Sequence, residues 1–259
     1  MMNIFRKKKD FLSVLKEKDK ASSNHPKMSV KEIKERIRVG IESLLLVHGF
    51  HRSKSDKDSW VNECFDGVLQ CVNLVYLNKD SELVIHSGVR LGFQVIAYER
   101  LWATIAGSVN PDFAYKDNLI SVGTNLVGLL PEAQRPQFRE NWWQFWRVGP
   151  IEAPLEEMQV ALLKYGLQYF QQYPDLHSVV NQVDVRFHHR TRHDILSELE
   201  HSCFDYYRGN YEKATERVNY GLSLIDANQE LSDIKLKWRE IASRLLDHYG
   251  HKEGITDNK

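Results

Sequence analysis

The hydrophobic pattern changes its period twice along the chain. Between residues 29 and 50 it is helical: Ser29 stands where an N-cap belongs, Glu32 comes three positions later, and Met28 is placed to staple against Ile33. Ile33, Ile37, Ile41, Leu44 and Leu45 then recur on one face, and Gly49 before Phe50 supplies a left-handed stop. The spacing predicts an amphipathic helix that packs on a neighbouring sheet.

From residue 60 the pattern alternates with a period of two. Trp60 to Phe65 and Val68 to Leu77 read as a hairpin around Asp66-Gly67, a pair suited to the positive φ of a tight turn. A two-residue turn sets Phe65 opposite Val68 and Asn62 opposite Cys71. It gives Val61, Phe65, Val68, Val72, Leu74 and Tyr76 to the core, and Trp60, Cys64, Leu69 and Cys71 to the other face. Leu83, Ile85, Val89, Leu91 and Phe93 form a third strand, with His86, Gly88, Arg90 and Gly92 between them. Tyr98 to Ile105 reads as a short helix or ordered connection, and Asn110 to Lys116 as a loop turning at Pro111-Asp112. Leu119 to Leu129 and Trp142 to Val148 read as further strands around a loop holding Pro131 and Pro136.

After Gly149-Pro150 the period is helical again. Pro154, Glu156 and Glu157 suit a first turn, and Leu155, Met158, Leu162, Leu163, Leu167 and Phe170 continue to Pro174. A shorter helix from about Leu176 is expected to end before Asp184. Three more cover roughly 192–208, 211–226 and 231–249, with breaks at Gly209-Asn210 and Ala227-Asn228 and Gly250 beyond the last. The expected fold class is α+β: an antiparallel sheet of about five strands with an N-terminal helix packed on it, then an all-helical part. The expected division is an arm over 1–27, a sheet domain over 28–150, a helical part over 151–250 packed on it, and a disordered tail over 251–259.

Composition narrows the function classes. The 259 residues are 42% hydrophobic and 27% charged, ordinary globular usage. Thirty-five basic residues balance thirty-five acidic ones, so no global charge favours nucleic acid or an anionic membrane. Residues 1–20 are locally basic, with seven basic and three acidic groups among Phe5, Phe11, Leu12 and Leu15. That arm reads as solvated and partly disordered, or as a contact for a membrane surface or an acidic partner. The longest uncharged run, Asn118 to Pro131, is 14 residues, too short for a membrane span. Three cysteines, Cys64, Cys71 and Cys203, form no disulfide framework and point to a reducing, cytoplasmic setting.

The Gly49-Phe50-His51-Arg52 junction, Trp60, Asp66-Gly67-Val68-Leu69-Gln70 and Val72-Asn73-Leu74 give residues 28–180 a resemblance to a bacterial family, the domain of unknown function number four-three-zero-four. The third strand with Gly88, Asn118 to Leu130, Trp142-Trp143 and the helix from Pro154 to Phe170 extend it. Val75-Tyr76 departs from a Gln-Lys-Ser-like ending, and only Arg135 or Arg139 can stand for the basic residues usual before the paired tryptophans. The resemblance implies a small bacterial protein of immunity or toxin-partner type, and it brings no catalytic residues. Separately, Phe204 to Ala214 is similar to the middle of a tetratricopeptide unit. One copy cannot make a solenoid, which implies a single helical hairpin.

Two segments carry candidate sites. Asn141 to Trp146 puts aromatics on both faces of a strand, so Trp142, Trp143 and Trp146, rimmed by Arg139 and Arg147 and further by Arg52 and Arg90, are the candidate partner-binding residues unless both faces are core. Arg186 to His193 is the polar alternative: Arg186, Arg190 and Arg192 with Thr191 as helix cap could hold an anion, or the segment is a solvated connector. His189 and His193 share a helical spacing, but Arg190 stands where a zincin carries its Glu, and no metal is expected. There is no phosphate-binding glycine loop, nucleophile elbow, Cys-x-x-Cys or His-Glu-x-x-His. Cys203 near His201 reads as a buried helical cysteine, and His86 shows no carboxylate partner in the sequence. Glu156-Glu157 and Glu198-Glu200 read as solvated helix charges. The expectation is a non-catalytic binding module without cofactor whose partner is another protein, with immunity or antitoxin-like proteins as the type and a homo-oligomer open. The alternative is a small-ligand or phosphate binder, or an enzyme, using Arg186 to His193.

Overall fold

The computed structural model describes residues 27–77, 84–135, 142–188, 195–227 and 233–253, with side chains throughout except at 183–188, 197 and 251–253. Most of the expected arm and most of the expected tail lie outside these residues. The fold is α+β. Helix α1 (Val30–Leu46) precedes β1 (His51–Arg52), β2 (Ser59–Phe65), β3 (Val68–Tyr76) and β4 (Val84–Val95). Then come α2 (Ile96–Ala106), β5 (Val122–Asn125), the single turn α3 (Leu126–Leu129) and β6 (Trp143–Trp146). The next helix is in three parts, α4 (Glu152–Ala161), a π-helical turn (Leu162–Gly166) and α5 (Leu167–Gln171), before α6 (Leu176–His188), α7 (Ile195–Tyr207), α8 (Tyr211–Asp226) and α9 (Asp233–Glu253). The six strands form one sheet in the order β1-β2-β3-β4-β5, with β6 paired to β4.

The described residues group into two compact units. One draws on Met1–Trp60, Val72–Leu91 and Thr124–Gln172, the other on Val61–Cys71, Gly92–Gly123 and Tyr173–Lys259. The grouping does not follow a cut near residue 150: the helix over 152–171 belongs with α1, and β2, β3 and β4 each run from one unit into the other.

In the first unit, α1 starts as its sequence dictates. Ser29 Oγ accepts the Glu32 N–H at 3.0 Å, and Ile33, Ile37, Ile41 and Leu45 are completely buried. Gly49, at φ +84°, closes a Schellman ending in which Phe50 N–H donates to Leu45 C=O and Gly49 N–H to Leu46 C=O, both at 3.2 Å. The entry is tied to β6: Met28 N–H donates to Arg147 C=O, and Arg147 Nε donates back to Met28 C=O, each at 2.9 Å. Gly40 sits against Leu155 of α4. Gly166 in the π turn lets the Leu91 and Leu126 methyls come close.

In the second unit, the end of β4 and helix α2 share a buried polar knot. Ser121 Oγ donates to Glu99 Oε1 at 2.6 Å and accepts the Val95 N–H at 2.9 Å. Gln94 Nε2 donates to Lys116 C=O at 2.7 Å. Helices α7 and α8 form a hairpin whose turn is another Schellman pair, with Gly209 at φ +80° and Asn210 N–H on Asp205 C=O at 2.9 Å. α9 completes the group, with Tyr206 stacked on Tyr249 at 4.5 Å and Ser202 hydrogen-bonded to the Tyr249 hydroxyl at 2.9 Å.

Several expectations need correction. Of the expected strand over Leu119–Leu129 only Val122–Asn125 is extended, because Leu126, Val127 and Leu130 are buried at helical spacing. The Asp66-Gly67 turn holds, with Gly67 at φ +76°, but the pairing beyond it is shifted. Leu74 N–H donates to Asp58 C=O at 2.8 Å and Asn62 Nδ2 lies 3.4 Å from Gln70 Oε1, a register one residue away from Asn62 opposite Cys71. A turn fixes register only beside itself, and one inserted residue moves the rest. The face assigned to the outside is also covered: Trp60 and Cys71 have no exposed surface. His86 is buried at 4% rather than on a polar face. Helix α6 runs through Asp184 to His188, since no Gly or Pro intervenes. α9 runs past Gly250 to Glu253, as one interior glycine costs only about 1 kcal/mol. Glu198 is no solvated charge: with 7% of its side chain exposed it binds Arg217 Nη1 at 3.0 Å.

Arg217 also donates through Nε to Asp205 Oδ2 at 2.5 Å, and Lys213 Nζ lies 3.6 Å from Asp205 Oδ1. Asp205 has no exposed side-chain surface. Replacing Asp205 by Ala leaves Arg217 half-paired in a dry hairpin and is expected to cost about 3 to 5 kcal/mol in urea unfolding. A Cβ on Gly92 collides with the Val122 carbonyl and the Ile120 side chain. Backbone cannot yield as a side chain can, so Gly92→Ala is expected to lower stability by roughly 1 to 3 kcal/mol in the same measurement.

Candidate functional site

The strand β6 pairs antiparallel with the start of β4, setting Trp146 opposite Val84, Phe145 opposite Ile85, Gln144 opposite His86 and Trp143 opposite Ser87. The period of two then separates the aromatics. Trp143 and Phe145 point into the core, 3% and 0% exposed. Trp142, Gln144 and Trp146 share the other face and are half-buried. Among the described residues β6 pairs with no strand other than β4.

Trp143 is therefore a core residue and not part of a surface, a correction to the expected trio. Trp142 and Trp146 retain partial access because alternate side chains face opposite ways. Gln144, absent from the expected set, completes their face. Its Nε2 is buried and meets no acceptor among the described residues, and a buried amide donor left unsatisfied costs on the order of 1 to 3 kcal/mol. The signal was present in the sequence as the polar residue midway between two tryptophans on one face.

The arginines divide by what holds them. Arg147 is committed inside the molecule, clasping Met28, and Arg52 is ion-paired to Glu42 of α1. Arg90 is exposed. Arg139 lies outside the described residues. So do Arg190, Thr191, Arg192, His189 and His193 and the side chains of Arg186 and His188; the backbone of Arg186 is on the last turn of α6. Of the expected partner-binding residues, Trp142 and Trp146 are half-buried, and Arg147 is bound to Met28.

No family model, no curated protein and no solved structure matches this chain. What the strand can do rests on its own chemistry.

Among the described residues no three His, Cys, Asp or Glu side chains stand close enough to hold a metal ion, and no helix there is long and apolar enough to cross a membrane. The cysteine thiols are subdued rather than activated. Burial pushes Cys64 up to about 11 and Cys203 up to about 12, and it raises Cys71 further, helped by the charge of Glu99. Tyr98 is held well above the ordinary phenol range, first by burial and then by the nearby charge of Glu200.

A thiol with a raised pKa holds less thiolate at a given pH, and the thiolate is the nucleophile. Maleimide at pH 7.5 is expected to label only the half-buried Cys64, slowly, with a rate rising about tenfold per pH unit below that pKa. Cys71 and Cys203 are expected to react only after denaturation, as read by mass spectrometry.

Proposed function

We propose that this chain is a non-catalytic protein-binding module whose contact face is Trp142, just before β6, with Gln144 and Trp146 on it. The observation that carries the reading is the pair of half-buried indoles, Trp142 and Trp146, at a strand that pairs with no strand other than β4 among the described residues. Indoles combine large apolar area with a polar edge and dominate protein contact hot spots. A partner strand or loop that covers both rings removes their remaining apolar area from water. The outer edge of β6, bearing no further strand among the described residues, suits such an addition.

The resemblance of residues 28–180 to a bacterial family of unknown function supports the finer form of the proposal, a bacterial, cytoplasmic protein of immunity or antitoxin type. The subdued thiols fit a reducing compartment and a role without covalent chemistry.

The test is affinity purification of the full chain after mild crosslinking in its native cells. A discrete partner is expected with the natural sequence. Trp142→Ala and Gln144→Glu should each weaken its recovery by about tenfold or more, with thermal midpoints confirming folded protein. Reproducible recovery of the chain alone, or a partner indifferent to both substitutions, overturns the proposal.

A further inference from the structure

The first unit carries a second apolar surface, on the solvent side of the seam between α1 and α4. The two helices run side by side in the same direction. Arg36 Nη1 lies 3.6 Å from Glu152 Oε1, Gln159 Nε2 donates to Gly40 C=O at 2.8 Å, and beyond the helices' ends Phe50 meets Phe170 at 5.8 Å. With 3.6 residues per turn, Val47 lies on the same line of α1 as Gly40, and Val39 and Leu46 lie farther out on the solvent side. On α4 and its π turn, Leu163 continues the line of Gln159, with Val160 farther out. These five aliphatic side chains are between 42% and 80% exposed. Singly they would need no explanation; as a strip along one seam they mark a docking surface.

The rim indicates the occupant. Arg36 is committed to Glu32 and Glu152. Glu156 and Glu157, both exposed beside the strip, have no cationic partner among the described residues and together outweigh the exposed Lys164, whose Nζ lies over the Tyr165 ring at 5.3 Å. A fitting ligand is thus basic and apolar at once, and the chain itself contains one. Residues 1–20 carry a net charge of +4, and Ile4, Phe5, Phe11, Leu12 and Leu15 recur at intervals of four and seven. We propose that residues 1–20 of this chain dock in cis on the strip formed by Val39, Leu46, Val47, Val160 and Leu163.

The reach is sufficient. Met28 is fixed at the start of α1 by its two hydrogen bonds to Arg147. From Val30 the strip spans about 14 to 26 Å at 1.5 Å per residue. The twelve residues from Leu15 to Lys27 extend up to about 40 Å. The site is separate from the face of β6, and the two proposals stand or fall independently.

The test uses the full chain carrying Cys64→Ser, so that the remaining native thiols are the buried Cys71 and Cys203, with Leu12→Cys and Val160→Cys. Under dilute oxidising conditions the intrachain 12–160 disulfide is expected to form at least tenfold faster than a 12–236 disulfide in a control with Leu236→Cys, a position of similar exposure on α9. Adding Glu156→Lys and Glu157→Lys should slow the 12–160 link severalfold. Equal rates at 160 and 236, links chiefly between chains as for a second copy, or indifference to the charge reversals would each overturn the proposal.

Discussion

Strand β4 is the constraint on which the rest depends. Of its twelve residues only Arg90 is exposed, and it pairs with β3, β5 and β6. A strand buried on both faces must have its backbone groups satisfied by neighbouring strands, because water cannot reach them. Gly92 answers to that requirement: without a side chain it admits the Val122 carbonyl and Ile120 at van der Waals range. Ser121 then enters the sheet beside it, its N–H on Phe93 C=O at 2.8 Å and its hydroxyl on Glu99. A buried carboxylate is tolerable there because it accepts a short hydrogen bond.

The candidate contact face is a consequence of the same strand. Because β6 registers on Val84–Ser87, its odd and even positions are forced to opposite sides. Half of an aromatic cluster becomes core and the other half is left partly open. Arg147, at the end of β6, is then positioned to clasp the chain just before α1, so the strand that offers a surface also anchors the first helix. An arginine that reads as a rim residue in the sequence is structural in the fold, and the polar group left on the open face is an amide.

The helical hairpin shows a different kind of stabilisation. Glu198, Asp205, Lys213 and Arg217 are dispersed over twenty positions of sequence and read as ordinary helix charges. Hairpin closure at Gly209 superimposes them, and the planar guanidinium of Arg217 bridges both carboxylates. Such a network adds little net stability compared with an apolar core, but removing one member strands the others. It fixes which faces of α7 and α8 meet.

Local chemistry made much of the chain legible. The Ser29 cap, the isoleucine stripe, the Gly49 and Gly209 stops and the Asp66-Gly67 turn are decided within a few residues, by hydrogen bonds and φ restrictions that act before any tertiary contact. The sequence by itself therefore determined the α+β class, the first helix, the turn positions and the helix pairs. Tertiary structure alone decided the rest: the register of β2 on β3, the burial of Trp60, Cys71 and His86, the helical turn at Leu126, and which tryptophans of β6 face outward. Those outcomes depend on what covers each face of a strand, and periodicity reports the sides of an element without saying which of them another element will bury.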